Sequence, residues 1–412
     1  MRHESAPVAE HRIPEHVPTA LVVDFDLYNM ENEAADFHLA WKSLQEERPD
    51  DHLLWTPRNE GHWIAMRGEV IQQTFADTKT FTNRVFIVPK SAGEKFTALP
   101  TTLDPPEHGP VRALINPHLS PRAIQRMEPG IRKFLISLIE KLESRGGCEF
   151  IDEFAEILPI AIFMNMVDLP FEDAHKLKFW ANEINLPTGQ MTMDEIMTAF
   201  ADYLAPWIKA RRAEPGDDLI SAIVTSELKG APIDDATATS LLTQVLLGGL
   251  DTVAFTLGFV MLFLARNPDY RQQLIDDPVL VPGAVDELLR RFPIATNFRM
   301  VREDCEFMGV HMKGGDMIAM PTVLHGLDER EYDDPLKIDF RRRIERTSTF
   351  GNGVHRCPGN FLARTEIRLV LEEWLKRIPE FHLAPDAKIE MKGGMVGSVR
   401  ELQLRWTPRG AH

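Results

Sequence analysis

Residues 350–359 read FGNGVHRCPG, and this stretch decides the interpretation of the chain because it surrounds Cys357 with three glycines. Glycine lets the backbone turn tightly and approach another group closely. A helical pattern begins at Asn360, so Cys357 comes just before a helix N-terminus. There, free N–H groups and the positive end of the helix dipole lower the pKa of a thiol and hold a thiolate. A thiolate held in this way can bind a metal ion.

Several kinds of cysteine chemistry compete for this motif. Zinc is disfavoured because His355 and Cys357 are two residues apart and no second Cys/His pair lies nearby. An iron–sulfur cluster normally requires four cysteines, and the chain has three. A cysteine hydrolase would also use a low-pKa thiolate, but nothing near Cys357 supplies its oxyanion or base arrangement. Haem needs only one axial thiolate, so the pattern favours haem.

The composition of the 412-residue chain is that of a soluble globular protein, with 44% hydrophobic and 26% charged residues. The formal net charge of −16 argues against a nucleic-acid-binding surface. Three cysteines are too few for a disulfide framework and indicate a reducing compartment. Residues 1–20 lack the apolar core of a signal peptide, so we expect a flexible N-terminal tail on a cytoplasmic protein.

The most apolar stretch, residues 241–264, is long enough to be tested as a membrane span. Gln244, the pair Gly248-Gly249 and Asp251 interrupt it, and an acidic side chain in mid-membrane is costly. We therefore expect no membrane span. A helix of 32 residues over 235–266 would be about 45 to 50 Å long, which is the width of a whole domain, so we expect it to be buried with other elements packed around it.

The remaining pattern predicts a mainly α protein with a minor β region, folded as one domain over residues 21–412. Apolar spacing predicts helices over 123–142, 194–212, 235–266, 282–291 and 360–377. Short strands are predicted at 63–66, 305–307, 310–312, 317–320 and 402–406. Two segments with proline and glycine, 82–101 and 185–192, are predicted to be mobile loops that cover a site.

The motif resembles the haem-binding signature of the cytochrome P450 family, Phe-x-x-Gly-x-His/Arg-x-Cys-x-Gly. Residues that match it without a gap are Phe350, Gly353, His355, Cys357 and Gly359. The resemblance covers nearly the whole chain and is greatest for the bacterial camphor-hydroxylating members. The chain shares with them GGLDT at 248–252, ELLRRF at 287–292, GLDERE at 326–331 and DPPE at 104–107. It implies the P450 fold, with a long central helix crossing a buried haem b whose iron is bound by Cys357.

Glycine in mid-helix costs about 1 kcal/mol relative to alanine, so Gly248 and Gly249 need a reason. Close helix packing is one. The other is that the helix passes flat against a haem face and bulges, with Thr252 bonding back to the Gly248 carbonyl. The resemblance assigns catalysis to Asp251 and Thr252: Thr252 would hold water and oxygen, and Asp251 would pass protons from solvent. Alone, an Asp-Thr pair in mid-helix is usually structural.

Haem carries two propionates, and arginine suits carboxylates because its planar guanidinium binds both oxygens. The resemblance makes Arg112, Arg299 and His355 propionate partners, with His108 a weaker candidate. Without it, each would be taken for an ordinary surface residue. Phe350, Gly248 and Gly249 are also expected to contact the haem.

A structural ion-pair cluster is predicted away from the chemistry. Glu287 and Arg290 lie three residues apart on one helix face, among leucines, so the pair should be buried and should need further partners. The resemblance adds Arg342 as that partner. We assign this triad to fold integrity.

The resemblance, carried over position by position, also predicts a compact and mainly hydrophobic substrate pocket. Any one of its members could equally be ordinary core packing. The predicted lining residues are Phe86 or Ile87, Phe96, Ala98, Thr101, Asn185, Gln244, Leu247, Ala295, Asn297, Met395 and Val396.

Departures from the camphor-hydroxylating pattern predict a different substrate. Those members have a tyrosine where this chain has Phe96, and that hydroxyl anchors the substrate ketone. Ala98 replaces a larger aromatic, while Gln244 and Asn185 add polar groups. We expect a larger cyclic terpenoid or a norisoprenoid such as an ionone, with camphor bound weakly. In the camphor-hydroxylating members, the position of Arg84 is a glutamate near a cation site. We therefore do not carry over a potassium site.

The resemblance therefore implies a monooxygenase that inserts one atom of O₂ into an unactivated C–H bond. Electrons would come from NAD(P)H through a ferredoxin reductase and an acidic [2Fe–2S] ferredoxin. Arg112 and Lys79 remain on the expected partner face, whereas Gly109 replaces an arginine. A haem-thiolate peroxygenase and a non-enzymatic haem gas sensor stay open as alternatives. We expect a monomer.

Pro358 has no N–H, so the sulfur of Cys357 should donate more electron density to iron.

Overall fold

The computed structural model describes residues 13–95, 97–185 and 189–408, with the backbone alone at residue 185. The helices are α1 (Phe37–Glu47), α2 (Gly68–Ala76), α3 (Lys90–Gly93), α4 (His108–Arg112), α5 (Pro121–Glu143), α6 (Ile157–Val167), α7 (Ala174–Asn185), α8 (Met193–Ala213), α9 (Leu219–Val224), α10 (Asp235–Leu250), α11 (Thr252–Arg266), α12 (Pro268–Asp276), α13 (Val281–Arg291), α14 (Thr322–Gly326) and α15 (Asn360–Arg377). The mainly α prediction is confirmed.

The β region is small, as predicted. Its strands are β1 (Leu53–Thr56), β2 (His62–Ala65), β3 (Phe81–Thr82), β4 (Gly147–Glu149), β5 (Glu227–Leu228), β6 (Ala231–Pro232), β7 (Thr296–Val301), β8 (Cys305–Phe307), β9 (Val310–Met312), β10 (Met317–Pro321), β11 (His382–Leu383), β12 (Met391–Lys392), β13 (Ser398–Val399) and β14 (Gln403–Arg405). The largest sheet has the order β1-β2-β10-β7-β3, in which β10 pairs with β2 in parallel and the other neighbours are antiparallel.

Four of the five predicted helices, α5, α8, α13 and α15, lie within two residues of the predicted bounds, and α5 and α8 also have side-chain caps. Ser120 caps α5 through its side chain, and Asp234 caps α10. Thr192 and Glu195 form a reciprocal capping box at the start of α8.

The predicted helix over 235–266 is interrupted at Asp251, which has φ −112° and separates α10 from α11. Within the described residues this is the one helix long and apolar enough to cross a membrane, and 72% of its most apolar window is buried inside the protein. The apolar surface is thus accounted for by protein packing.

Two hydrophobic clusters meet at this interruption. One includes α11, α13, α15 and the large sheet. The other includes α6, α7, α8, α9 and α10. The residues around Asp251 therefore lie between the two parts of the core, and this is where the candidate site is found.

The segment predicted as a mobile loop over 82–101 contains a strand end at Phe81–Thr82 and the short helix α3. Part of the predicted flexible tail is packed: Val17 is buried, and His16 Nε2 lies 2.8 Å from Asp316 Oδ2. Residues 1–12 lie outside the described part of the chain.

Candidate active site

The loop around Cys357 is closed by backbone hydrogen bonds. The Cys357 N–H donates to the Phe350 carbonyl at 2.8 Å, and the Arg356 N–H donates to Gly353 at 3.2 Å. Gly353 has φ +68°, and a Cβ there would lie 2.9 Å from the Phe75 carbonyl oxygen. Only glycine fits this position without a shift of backbone, so the motif fixes the loop against α2.

The sulfur of Cys357 accepts from the Gly359 backbone N–H and is influenced by the charges of three arginines. Burial raises the pKa of the Cys357 thiol, although the Gly359 N–H and the charges of Arg112, Arg356 and Arg364 act in the opposite direction. The sequence predicts a lowered thiol pKa, and that prediction is wrong. Removal of the thiolate from water outweighs the helix N-terminus and the cations.

Arg299 is a buried cation on β7 that lacks an ion-pair partner among the described residues. Its Nη1 donates to the Phe298 carbonyl at 2.8 Å, and its guanidinium lies 5.4 Å from the centre of the Phe75 ring. Burial lowers the pKa of Arg299 to about 10, while the charge of Asp104 acts to raise it. A buried guanidinium placed in this way favours binding of an anion.

The two histidines predicted at the cofactor contact each other. The rings of His108 and His355 have centroids 4.2 Å apart, and the Nε2 atom of each is buried without a hydrogen-bond partner within the described residues. Asn83 Nδ2 lies 3.3 Å from His355 Nδ1. Burial, and then the charges of Arg299 and other neighbours, lower the pKa of His355 to about 3. His355 is therefore neutral at ordinary pH.

Arg112 completes this group of basic side chains. Its Nε donates to Asn116 Oδ1 at 2.8 Å, and Nη2 donates to the Arg356 carbonyl. Burial lowers the pKa of Arg112, while Cys357 raises it. Arg112, Arg299, His108 and His355 thus form one group in which the two arginines supply positive charge, and their spare N–H donors fit the two carboxylates of haem.

The central helix presents an open face at Gly248. This residue is exposed, although it lies in mid-helix, and a Cβ there would meet nothing within 4 Å. At Gly249 a Cβ would lie 3.7 Å from Phe163 Cδ2, an ordinary van der Waals distance, so its contact with haem stays a prediction. The space beside Gly248 suits a flat cofactor.

The predicted contact of Thr252 is present: its hydroxyl donates to the Gly248 carbonyl at 3.2 Å. Asp251 is buried. Lys178 lies nearby on α7 and pairs with Glu156; its Nζ is 3.9 Å from Asp152, which is largely exposed. Burial lowers the pKa of Lys178, and the charges of Asp152 and Asp251 raise it. Lys178 therefore interacts electrostatically both with Asp152 at the surface and with the buried Asp251.

Two of the segments that carry predicted pocket residues are in contact, 295–297 and 395–396. Ala295 and Val396 form an isolated β-bridge, and the Thr296 N–H donates to the Met395 carbonyl at 2.8 Å. The half-buried members are Phe86, Ile87, Thr101, Gln244, Leu247, Ala295, Asn297, Met395 and Val396, while Ala98 is buried. Phe96 and the side chain of Asn185 lie outside the described residues.

Sequence reasoning missed several residues of the site. Asn83 connects its two sides, since its Nδ2 also donates to the Thr101 carbonyl. Ser240 accepts a hydrogen bond from the Leu99 N–H at 3.1 Å and so holds the segment after α3 against α10. No local pattern marks either residue. Arg364 lies 4.6 Å from the centre of the Phe350 ring, and its nearness to the motif could have identified it.

The predicted ion-pair contacts are present away from this site. Arg290 Nε donates to Glu287 Oε2 at 2.7 Å, and Arg342 Nε donates to Glu287 Oε1 at 3.1 Å. The side chains of Glu287 and Arg290 are 0% exposed. The Thr349 hydroxyl donates to the Leu289 carbonyl at 3.0 Å, so α13 also holds the chain that leads to the cysteine loop.

A cysteine at the start of a helix, with basic side chains close to it, fits a haem whose iron is bound by the thiolate and whose two propionates are bound by cations. The family model described as Cytochrome P450 matches residues 159–279 and 278–400. The chain belongs to the cytochrome P450 family, and it is a haem-thiolate monooxygenase that binds haem b and uses O₂.

Relatives of known sequence or structure are similar to this chain over nearly its whole length. "Probable cytochrome P450 127A1" from Sinorhizobium fredii (strain NBRC 101917 / NGR234) is 31% identical, covering 97% of this chain and 98% of that protein. The crystal structure of CYP101J2 has a TM-score of 0.90 and 42% identity, covering 96% of this chain and 99% of that one. The crystal structure of the cytochrome P450 CYP101C1 has a TM-score of 0.89 and 38% identity, covering 96% and 100%.

Proposed function

We propose that this P450 hydroxylates a compact hydrophobic terpenoid or a norisoprenoid such as an ionone, and that camphor is a poor substrate. The observation that carries the proposal is that the segments predicted to line the pocket are half-buried and meet in pairs: Leu99 bonds Ser240 of α10, and Ala295 forms a bridge with Val396. Most of these side chains are apolar, which suits a substrate with few polar groups.

The haem would be held by residues already described. Cys357 would bind the iron, and Arg112, Arg299, His355 and His108 would bind the propionates. Gly248 would allow the ring to approach the helix. When bound, haem supplies the oxidising chemistry on O₂. The roles of the chain's own residues then concern positioning and protons.

Proton delivery is assigned to Asp251 and Thr252. The Thr252 hydroxyl donates to Gly248, so its oxygen is left as an acceptor that can hold a water molecule. Lys178 and the exposed Asp152 lie between Asp251 and the surface. Asp251 can therefore exchange protons with solvent while Thr252 holds water at the open face.

Electrons are proposed to come from NAD(P)H through a ferredoxin reductase and an acidic [2Fe–2S] ferredoxin. Arg356 and Lys79 are exposed, and so are Val354 and Phe361 on either side of Cys357, each 44% exposed. Basic and apolar groups together suit a transient protein partner. Gly109 is exposed, and a Cβ there would meet open space. The replacement of an arginine by this glycine therefore removes a positive charge from the surface. We further propose a monomer located in the cytoplasm.

The experiment is reconstitution of the holoenzyme with a reductase and a [2Fe–2S] ferredoxin, followed by a spectral-shift screen of terpenoids and product analysis. The proposal predicts that an ionone or a larger cyclic terpenoid gives hydroxylated product and exceeds camphor. A tight camphor-induced spin-state change with camphor as the best substrate would contradict it. A gas sensor would bind carbon monoxide and hydroxylate nothing, and a peroxygenase would need only peroxide.

A further inference from the structure

The turn between β12 and β13 carries two of the residues predicted to line the pocket, Met395 and Val396. Each flanking strand is two residues long, and a hairpin this short has little stability of its own. On one side the turn is bonded to the chain after α13, because the Thr296 N–H donates to the Met395 carbonyl at 2.8 Å. Contacts from outside the hairpin therefore determine where the turn lies.

The other side of the turn lies against the N-terminal segment before α1. The carboxylate of Glu33 is buried there. It accepts hydrogen bonds from the Gly393 N–H at 3.0 Å, the Lys392 ammonium at 2.6 Å and the Met30 N–H at 3.3 Å. A buried carboxylate is stable only when its charge is paired and its oxygens are bonded, and Glu33 meets both conditions. It thus holds the chain two residues before Met395.

Close packing leaves little room between the turn and this segment. A Cβ on Gly393 would lie 2.5 Å from Glu33 Oε2. Gly394 has φ +131°, which glycine adopts without strain, and a Cβ there would lie 3.3 Å from Tyr28 Cδ1. The two glycines therefore let the turn pack directly on Tyr28 and Glu33.

The same segment also bonds a second stretch of the predicted pocket. Lys392 Nζ donates to the Tyr28 carbonyl at 2.7 Å, and the Tyr28 hydroxyl donates to the Val88 carbonyl at 2.8 Å. Val88 directly follows Ile87, which is one of the predicted lining residues. The N-terminal segment therefore links two parts of the chain that are far apart in sequence and that both belong to the predicted pocket.

We infer that Glu33 is a positioning residue for substrate oxidation. By holding Gly393 and Lys392, it fixes the turn whose two half-buried side chains are predicted to line the pocket, and so restricts which carbon of the substrate is oxidised. This inference rests on the proposed function. Rigid placement matters because a displacement of about 1 Å caused far from the chemistry can change a rate by about 100-fold. A purely structural ion pair would stabilise the fold and leave the distribution of products unchanged.

The chain contains a matched contact on another hairpin, which provides a control. Asp304, just before β8, accepts from the Lys313 ammonium at 2.6 Å and from the Gly314 N–H at 3.0 Å. As at Glu33, the donors are a lysine and the glycine that follows it. This hairpin carries none of the predicted lining residues. Asp304→Ala therefore removes an equivalent set of bonds at an exposed position without affecting the predicted pocket.

The test measures the products that the reconstituted holoenzyme forms from β-ionone, or from the terpenoid that the screen ranks first, at equal concentrations of folded, haem-loaded protein. Glu33→Ala removes the bond to Gly393. We expect the ratio of main to minor products to fall by about 2- to 13-fold, the factor by which one ordinary hydrogen bond favours a position. Glu33→Gln keeps an acceptor oxygen for the Gly393 N–H and should stay nearer to the wild type. Asp304→Ala should give the wild-type ratio.

A wild-type product ratio in Glu33→Ala, or an equal shift in Asp304→Ala, would overturn the inference and leave the proposed function intact. Should Glu33→Ala fail to fold, Glu33→Asp carries the same prediction, because it keeps the charge but withdraws the oxygens from Gly393 by one methylene. A wild type that oxidises no ionone or other terpenoid would contradict the proposed function itself, and the inference would fall with it.

Discussion

The Thr252 hydroxyl donates a hydrogen bond to the Gly248 carbonyl across 3.2 Å, at the point where Asp251 interrupts the central helix. This bond uses the one hydroxyl proton, so the Thr252 oxygen is left as an acceptor on the open side of the helix. The interruption also turns Asp251 into a buried position near Lys178. One local distortion thus places both residues proposed to handle protons.

Replacing Thr252 tests that role. Thr252→Ala removes the acceptor, and we expect O₂ consumption to continue while hydroxylated product per NAD(P)H falls by about 10-fold or more, since positioned proton transfer contributes about 10²- to 10⁴-fold. Thr252→Ser keeps the hydroxyl and should retain most coupling. Wild-type coupling in Thr252→Ala would show that the hydroxyl has no part in proton delivery.

The buried triad predicts a large effect on stability. Glu287→Gln leaves Arg290 buried without its charge partner, and we expect a loss of about 3 to 5 kcal/mol in the free energy of unfolding, measured by urea denaturation. Arg341→Ala breaks an exposed pair with Asp277 and should cost less than about 1 kcal/mol. Similar costs for both variants would contradict the role in fold integrity.

Glu366 predicts a pH dependence of stability. Burial raises the pKa of this carboxyl from 4.5 to about 8. Between these values the folded protein holds a proton that the unfolded chain has released, so the stabilisation is complete below about pH 4.5 and is lost as pH rises through 8.

Glu366→Gln removes this titration. Relative to the wild type, the variant should become progressively more stable between pH 5 and pH 9, as measured by the free energy of unfolding at several pH values. Glu345→Gln, at an exposed position, controls for the loss of one carboxylate. A difference between Glu366→Gln and the wild type that does not change with pH would contradict the raised pKa.

Pro358 predicts an effect on the reduction potential. The Gly359 N–H already bonds the Cys357 sulfur, whereas Pro358 supplies no donor. Pro358→Leu adds an N–H beside the sulfur, which should reduce its donation to iron and raise the ferric/ferrous potential in a redox titration. An unchanged or lower potential would count against this explanation.

Elements with a regular apolar pattern could be predicted from the sequence. Helix α15 begins and ends where its pattern predicts, and strands β8 and β9 have the predicted bounds. Strand β7 was missed because Asn297 and Arg299 face the site, so the strand lacks a simple alternation of apolar and polar residues. The pattern of apolar residues indicates which positions are buried. At a cofactor site, polar side chains occupy inward positions, so the pattern is misleading there.

Within the candidate site, the motif pointed to Cys357 and His355, and the family resemblance added Arg112 and Arg299, but neither pointed to their hydrogen-bond partners. The contact between Ser240 and Leu99 joins segments 141 residues apart, and only the tertiary fold creates it. The rise in the pKa of the Cys357 thiol has the same origin, since burial depends on what packs around the loop.

The central claim is that Cys357 binds haem iron as a thiolate. The most direct measurement is the absorption spectrum of the reduced, folded protein under carbon monoxide. We expect the red-shifted Soret band characteristic of a thiolate-bound haem in the wild type, and its loss in Cys357→Ser. A folded wild-type protein that binds haem and carbon monoxide without this red shift would contradict the account.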